Sequence, residues 1–365
     1  TSTWSQRGSA LSGTTTETQL TPSTFGATAI GPVPGAELGH SVSMDSTGNT
    51  FVASSPREKV TVTEQGAVRV YTWSGSDWIQ RGQTITGKLA YEHLGKHVKL
   101  SDDGNVLIIS GQVARFQSYA RSSTLFVSNG FVRRYEWIGS SWVKKGSDIQ
   151  NIVLHPSSTL RNEEFASFGL SFDIDNTADN IVINTSTRSA TLTWSSSENT
   201  WIQNTPGTKA TARSSTSSAI SFMNYGNAKI SGDGNYLLLL TTSVLYGSSY
   251  YLDASSISSS SVKGKYTATV FQKLTGGNGN WEPLNIEDPV QLPIHDYWAE
   301  TFGMYGSDLN YDGKRVFLPN YIAQKADFLT SAMDYVTTTA HERHINNNVT
   351  SLSCIDVYNL GYTTQ

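Results

Sequence analysis

Asp173, Asp308, Lys96, Lys99, Lys229, His40 and His97 fall in short stretches where polar and apolar residues alternate. Two such stretches are "GKHVKLSDDGN" from Gly95 and "LSFDIDNTADN" from Leu170. Hydrolysis of a glycosidic bond asks for two carboxylates flanking that bond. Asp173 and Asp308 are the acids these stretches offer, with no Glu among them. Asp173, Asp175 and Asp179 in "DIDNTAD" form the best candidate for calcium, which prefers six or more oxygen ligands. The comparable "DSTGN", "SDDGN", "SGDGN" and "NYDGK" lack three alternating acids and read as turns in which Asp bonds its own backbone. Among the seven histidines, His341 and His344 form "HERH". A Thr-rich run before it and Asn residues after it point to a surface loop, and no third ligand can be named. Cys354, the single cysteine, stands beside Ile355 and reads as an inert buried thiol. No nucleotide-binding glycine loop and no G-x-S-x-G elbow occurs. No cofactor is called for beyond calcium at Asp173, Asp175 and Asp179.

These residues lie inside two recurring phrases. The first is apolar-polar alternation, a Gly/Asn/Asp turn, and alternation again. It reads "LGHSVSMDSTGNTFVAS" from Leu38 and "LGKHVKLSDDGNVLIIS" from Leu94, with worn copies from Phe168, Tyr225 and Tyr305. The second is "GAVRVYTWSGSDWIQRG" from Gly66 and "GFVRRYEWIGSSWVKKG" from Gly130, with later copies from Ser189, Tyr266 and Leu352. A period of two broken by such turns predicts β-hairpins, and two hairpins make a four-stranded unit A–B–C–D. One Trp marks each D strand: Trp78, Trp142, Trp201 and Trp281. The last unit has no D strand, whereas the chain opens on "TWSQRG" with Trp4. The expected architecture is an all-β, five-bladed β-propeller of four-stranded antiparallel blades, its last blade closed by the N-terminal strand. The blades span about 38–87, 94–150, 168–206, 224–290, and 302–365 completed by 1–13. Trp4, Trp78, Trp142, Trp201 and Trp281 are expected to pack between blades.

The first phrase with its following strand, "LGHSVSMDSTGNTFVASSP" and "GAVRVYTW", resembles the FG-GAP repeat of integrin α-chain propellers, as does "FGLSF" at Phe168. The added W-x-Q-x-G strand resembles FG-GAP-like repeats of marine protist and large-virus reading frames. The resemblance implies a propeller used for binding or assembly and names no ligand. It departs from the integrin pattern in counting five repeats rather than seven and in lacking the D-x-D-x-D-G loop.

Composition narrows the partners. A net charge of -4 gives no basic field for nucleic acid, and no apolar run is long enough to cross a bilayer as a helix. Charged residues are 15%, Ser and Thr are abundant, and Asn184 and Asn348 stand in N-x-S/T sequons. These features suit an extracellular or surface-exposed glycoprotein. The A–B and C–D turns are short, while the B–C and D–A connections are long and carry aromatics. Phe116, Tyr119, Tyr246, Tyr250, Tyr251, Trp298, Tyr321, Phe328 and Tyr335 are therefore the candidate binding residues, on loops of one face. The expectation is a non-enzymatic structural or adhesion protein that assembles with other subunits or with itself as part of a filament or coat. A glycan-binding lectin is the alternative, and a glycoside hydrolase the second.

Overall fold

A computed structural model describes residues 3, 5–13, 35–119, 123–150, 168–169, 171–184, 189–204, 228–244, 264–273, 281–283, 290–292, 308–322 and 352–359. Among these residues all regular structure is β, arranged in five antiparallel sheets that follow chain order. The first holds β1 (Val42–Met44), β2 (Thr50–Ser55), β3 (Ala67–Trp73), β4 (Trp78–Gln80) and β5 (Ile85–Thr86). The second holds β6 (Val98–Leu100), β7 (Val106–Tyr119), β8 (Ser123–Trp137) and β9 (Trp142–Ile149). The third holds β10 (Ser171–Ile174), β11 (Asn180–Asn184), β12 (Ser189–Ser195) and β13 (Thr200–Gln203). The fourth holds β14 (Lys229–Ile230), β15 (Tyr236–Val244), β16 (Gly264–Lys273), β17 (Trp281–Pro283) and β18 (Val290–Leu292). The fifth holds β19 (Asp308–Leu309), β20 (Arg315–Ile322) and β21 (Leu352–Asn359).

The A–B turns form because Asp can cap its own turn while Gly or a substitute takes a left-handed φ. Asp45 Oδ1 accepts the N–H groups of Asn49 and Thr50, and Asp175 Oδ1 those of Asp179 and Asn180. Gly48 and Gly104 supply the positive φ in the first two sheets, and Ala178 (φ 59) takes that place in the third. The turns also join the sheets. Ser46 N–H donates to Asp102 O, Asp102 N–H to Asn176 O, Asn176 N–H to Gly232 O, and Asp233 N–H to Tyr311 O, at 2.8–3.0 Å. Each sheet is thereby tied to the next in sequence.

The hydrophobic cores lie between successive sheets. Val52, Val68 and Val70 of the first sheet cluster with Val98, Leu100, Leu107 and Phe131 of the second. Ile108 and Val132 of the second cluster with Phe172, Ile181 and Ile183 of the third. Val182 of the third joins Ile230, Leu237, Phe271 and Trp281 of the fourth. Burying side chains of this kind stabilises by about 1.5–3 kcal/mol each, so no sheet is stable without its neighbour.

An arginine-tryptophan clasp closes each of the first junctions. Trp73 and Trp78 meet edge-on, as do Trp194 and Trp201, and Trp137 and Trp142 meet at a tilt. Arg81, just past β4, lies 4.6 Å over Trp137 and donates to Gly104 O and Asn105 Oδ1, both at 2.7 Å. The Trp142 indole N–H returns a hydrogen bond to Arg81 O at 3.0 Å. Arg7 treats Trp73, Gly48 O, Asn49 and Trp78 in the same way. At the next junction the position matching Arg81 is Lys145, which turns to Glu136. Arg134 of β8 covers Trp194 instead and reaches Ala178 O and Asp179. Cation–π contacts of this kind contribute about 0.5–2 kcal/mol each.

Two expectations need correction. The connection of the second sheet read as a loop from Gly111 to Asn129 is a hairpin, in which β7 and β8 stay paired from Val106↔Glu136 to Tyr119↔Ser123. Phe116 and Tyr119 therefore stand in a strand, as does Tyr321 in β20. The run of alternating polar and apolar residues continues through this insertion, so the ladder simply extends. The N-terminal strand is absent from the described ladders: Ser5–Gly8 joins no sheet, and the last sheet has three strands.

Gly82 sits at φ +79, and a Cβ there would come within 2.6 Å of Trp137. Gly139 has a similar φ (+87) with nothing within 4 Å of its Cβ position. Gly82→Ala should cost about 2–4 kcal/mol, from the left-handed backbone plus overpacking, and Gly139→Ala about 1–2 kcal/mol. Chemical unfolding of both variants checks the difference.

Candidate functional site

The first strand of each of the five sheets is short and lies at an edge of its sheet. Their apolar members point into the inter-sheet cores: Val98, Leu100, Phe172, Ile230 and Leu309 are buried. The alternating positions face the other way. Pairing with the second strand sets them in register: Ser43↔Val52, Lys99↔Ile108, Asp173↔Val182, Lys229↔Leu238 and Asp308↔Phe317. Ser43, Lys99, Asp173, Lys229 and Asp308 thus occupy one equivalent position in five consecutive sheets. The row reads neutral, cation, anion, cation, anion.

Edge strands expose backbone N–H groups that must be satisfied. Members of the row do this for the next strand. Ser43 Oγ accepts the Leu100 N–H at 3.0 Å, and Asp173 Oδ2 accepts the Ile230 N–H at 3.2 Å. The other Asp173 oxygen pairs with Lys99 Nζ at 2.9 Å. Burial works against the Lys99 charge, yet the Asp173 carboxylate, with Asp308 adding to it, holds the ammonium above its ordinary value. Asp308 is exposed, and its Oδ1 accepts the Leu309 N–H at 2.9 Å.

Two residues earlier in the strands lies a second polar level. Ser41 Oγ accepts the Val98 N–H at 3.1 Å and stands 3.4 Å from His97 Nδ1. His97 Nε2 is 3.1 Å from Phe172 O. A carbonyl only accepts, so the ring proton is assigned to Nε2, and Nδ1 faces the Ser41 hydroxyl. Burial first, then the charges of Lys99 and Lys229, push His97 down to about 4. It is therefore a neutral, orientated imidazole at pH 7, edge-on to the Phe172 ring. Together the two levels place opposite charges above a hydroxyl and an imidazole. The row thus carries carboxylates on two non-adjacent sheets, the third and the fifth.

The calcium candidates do not converge. Asp173 serves Lys99, Asp175 accepts from Asp179 N, Asn180 N and the Thr177 hydroxyl, and Asp179 pairs with Arg134. No group of three metal-binding side chains occurs among the described residues. Asn184 is 2% exposed, with its amide held by Ser171, Ser189 and Ala228. A glycan has no room there, which corrects the sequon reading at that position. Trp142 and Trp281 are buried, and Trp78 and Trp201 are partly so. Trp4, Tyr246, Tyr250, Tyr251, Trp298, Phe328, Tyr335, His341, His344 and Asn348 lie outside the described residues. Cys354 is in β21, opposite Asn320. His40 turns away to Glu37. The ordered row escaped notice in the sequence because Asp173 and Asp308 read as isolated acids. Aligning the copies on the last apolar residue before each turn (Met44, Leu100, Ile174, Ile230, Leu309) would have exposed it.

No protein-family model matches the chain, and no curated relative matches it. Solved structures similar to it include Kuenenia stuttgartiensis hydrazine synthase, at 12% identity and TM-score 0.40, covering 84% of this chain and 69% of that one. The periplasmic gluconolactonase of Pseudomonas aeruginosa has 12% identity and TM-score 0.41, covering 81% and 72%. A glycosyl hydrolase from Bacteroides ovatus has 9% identity and TM-score 0.28, covering 74% and 77%. All three are enzymes by name and none is an adhesion or assembly scaffold, against the expectation drawn from the sequence. Likenesses this distant assign no chemistry, which has to be read from the chain's own residues.

His97 binds its proton more weakly in the folded chain than at its ordinary value of 6.5. The unfolded chain therefore takes up more protons between about pH 6.5 and 4, and stability should fall as pH drops through that window. Urea unfolding across it should show a shallower slope for His97→Gln than for the parent chain.

Proposed function

We propose that the chain is a glycoside hydrolase built on a five-bladed propeller, with Asp173 and Asp308 as its two working carboxylates. The observation that carries this reading is the equivalent row Ser43, Lys99, Asp173, Lys229, Asp308 on the inner strands. Asp173 is held by Lys99 and the Ile230 N–H, a fixed anion suited to attack the sugar carbon or stabilise its developing positive charge. Asp308 is open to solvent and is assigned as the acid that protonates the leaving oxygen.

Closure of the propeller belongs to the same proposal. Arg7 and Gly8 meet Trp73 and Trp78 as Arg81 and Gly82 meet Trp137 and Trp142. Relative to the first sheet, Ser5–Gly8 therefore holds the place that a fourth strand's end holds relative to the second. This assigns the segment to the last blade. Val42 and Met44, equivalent to buried Val98 and Leu100, are 64% and 52% exposed. The last blade is the surface that would cover them. The blades are taken to be FG-GAP-like repeats.

A panel of aryl glycosides tests the activity. Turnover of at least one member is expected, with Asp308→Asn reducing it about 10²–10⁴-fold while leaving the fold intact. A folded parent chain that turns over no member, or an Asp308→Asn variant with full activity, would sink the reading. Sugar binding without turnover would favour a lectin.

A further inference from the structure

We propose that the inner row selects an acidic sugar, a uronate, whose carboxylate is held by Lys229. The inference rests on the reading of this row as a carbohydrate site. Of the four ionic members, Lys99 and Asp173 neutralise one another at 2.9 Å. Lys229 is half-buried on β14, and among the described residues its ammonium makes no ion pair or hydrogen bond. Among the described residues this cation has no counter-ion, and an anionic ligand would supply one. Asp308, in the adjacent sheet, lies beyond ion-pair distance of Lys229, so it does not play that part. The Lys229 field is felt as far as His97, whose protonation it opposes together with that of Lys99. His97 consequently stays neutral and brings no competing charge.

The ligand class follows from the charge count. One ammonium matches a singly charged carboxylate, whereas a phosphate dianion usually gathers several donors. A sugar seated with its carboxylate on Lys229 lies between Asp173 on one side and Asp308 on the other, since the third and fifth sheets flank the fourth.

Calorimetric titration of the full chain with D-glucuronate, D-galacturonate and their neutral parents, glucose and galactose, tests this at low salt. At least one uronate is expected to bind about tenfold more tightly than its parent sugar, and added salt should erode the preference. Lys229→Met should abolish the preference by bringing the uronate's affinity down to that of its parent sugar. Lys229→Arg should keep the preference, and thermal melts of both variants establish that they are folded. Equal affinity for uronate and parent sugar, or a preference surviving Lys229→Met, overturns the inference and leaves the carbohydrate reading standing. Failure of all four sugars to bind overturns both.

Discussion

Among the described residues, the first four sheets share their hydrophobic cores across the junctions between them. Val98 and Leu100 belong by sequence to the second sheet, but the valines that cover them come from the first. The arginine-tryptophan clasps and the turn-to-turn hydrogen bonds reinforce the same contacts from the outer and lower ends. Arg81 shows how compact the device is. Its guanidinium covers a Trp of the next sheet, bonds that sheet's turn, and its carbonyl takes the Trp indole proton. The clasp also has room for substitution. When Lys145 replaces the expected arginine, Arg134 supplies the guanidinium from another strand, because the constraint is a cation over the Trp pair and not a particular residue.

Stacking sheets side by side brings their first strands together, and this creates the candidate site. An edge strand carries unpaired N–H groups, and burying them bare would be unfavourable. Ser43 and Asp173 answer that need, so their side chains are aimed at the neighbouring strand. Lysine cannot accept, and at the same row position it is left to find an anion. Lys99 finds Asp173. The alternation of charge along the row is thus partly a solution to backbone satisfaction. Asp308 takes the N–H of its own neighbour Leu309, and Lys229 makes no ion pair among the described residues.

The proposed enzymatic reading keeps the architecture from which the scaffold expectation was drawn. The long connections that seemed to mark one face as an interaction surface include a paired hairpin in the second sheet. The charged groups of the candidate site instead sit on the first strands, next to the short turns.

Local patterns were enough to determine that this chain is all-β, where its hairpins turn, and how its phrases repeat. Alternation at period two and Gly/Asn/Asp turns depend only on neighbours in sequence, so "SDDGN" could be read as a turn before any contact was known. The paired tryptophans were legible for the same reason. What the tertiary structure decided concerns groups far apart along the chain. Nothing near Asn184 in sequence says that its amide will be enclosed by Ala228 of the next sheet. Nothing near Asp173 says that Lys99 will meet it, or that Asp179 will be taken by Arg134 and lost to calcium. The β7–β8 hairpin shows the remaining limit: its residues alternate, but whether alternating residues pair or stand as a loop depends on the partner strand. Sequence fixes the period of each strand. Register between sheets selects which polar side chains become neighbours, because that choice is made by burying apolar faces that are never adjacent in the chain.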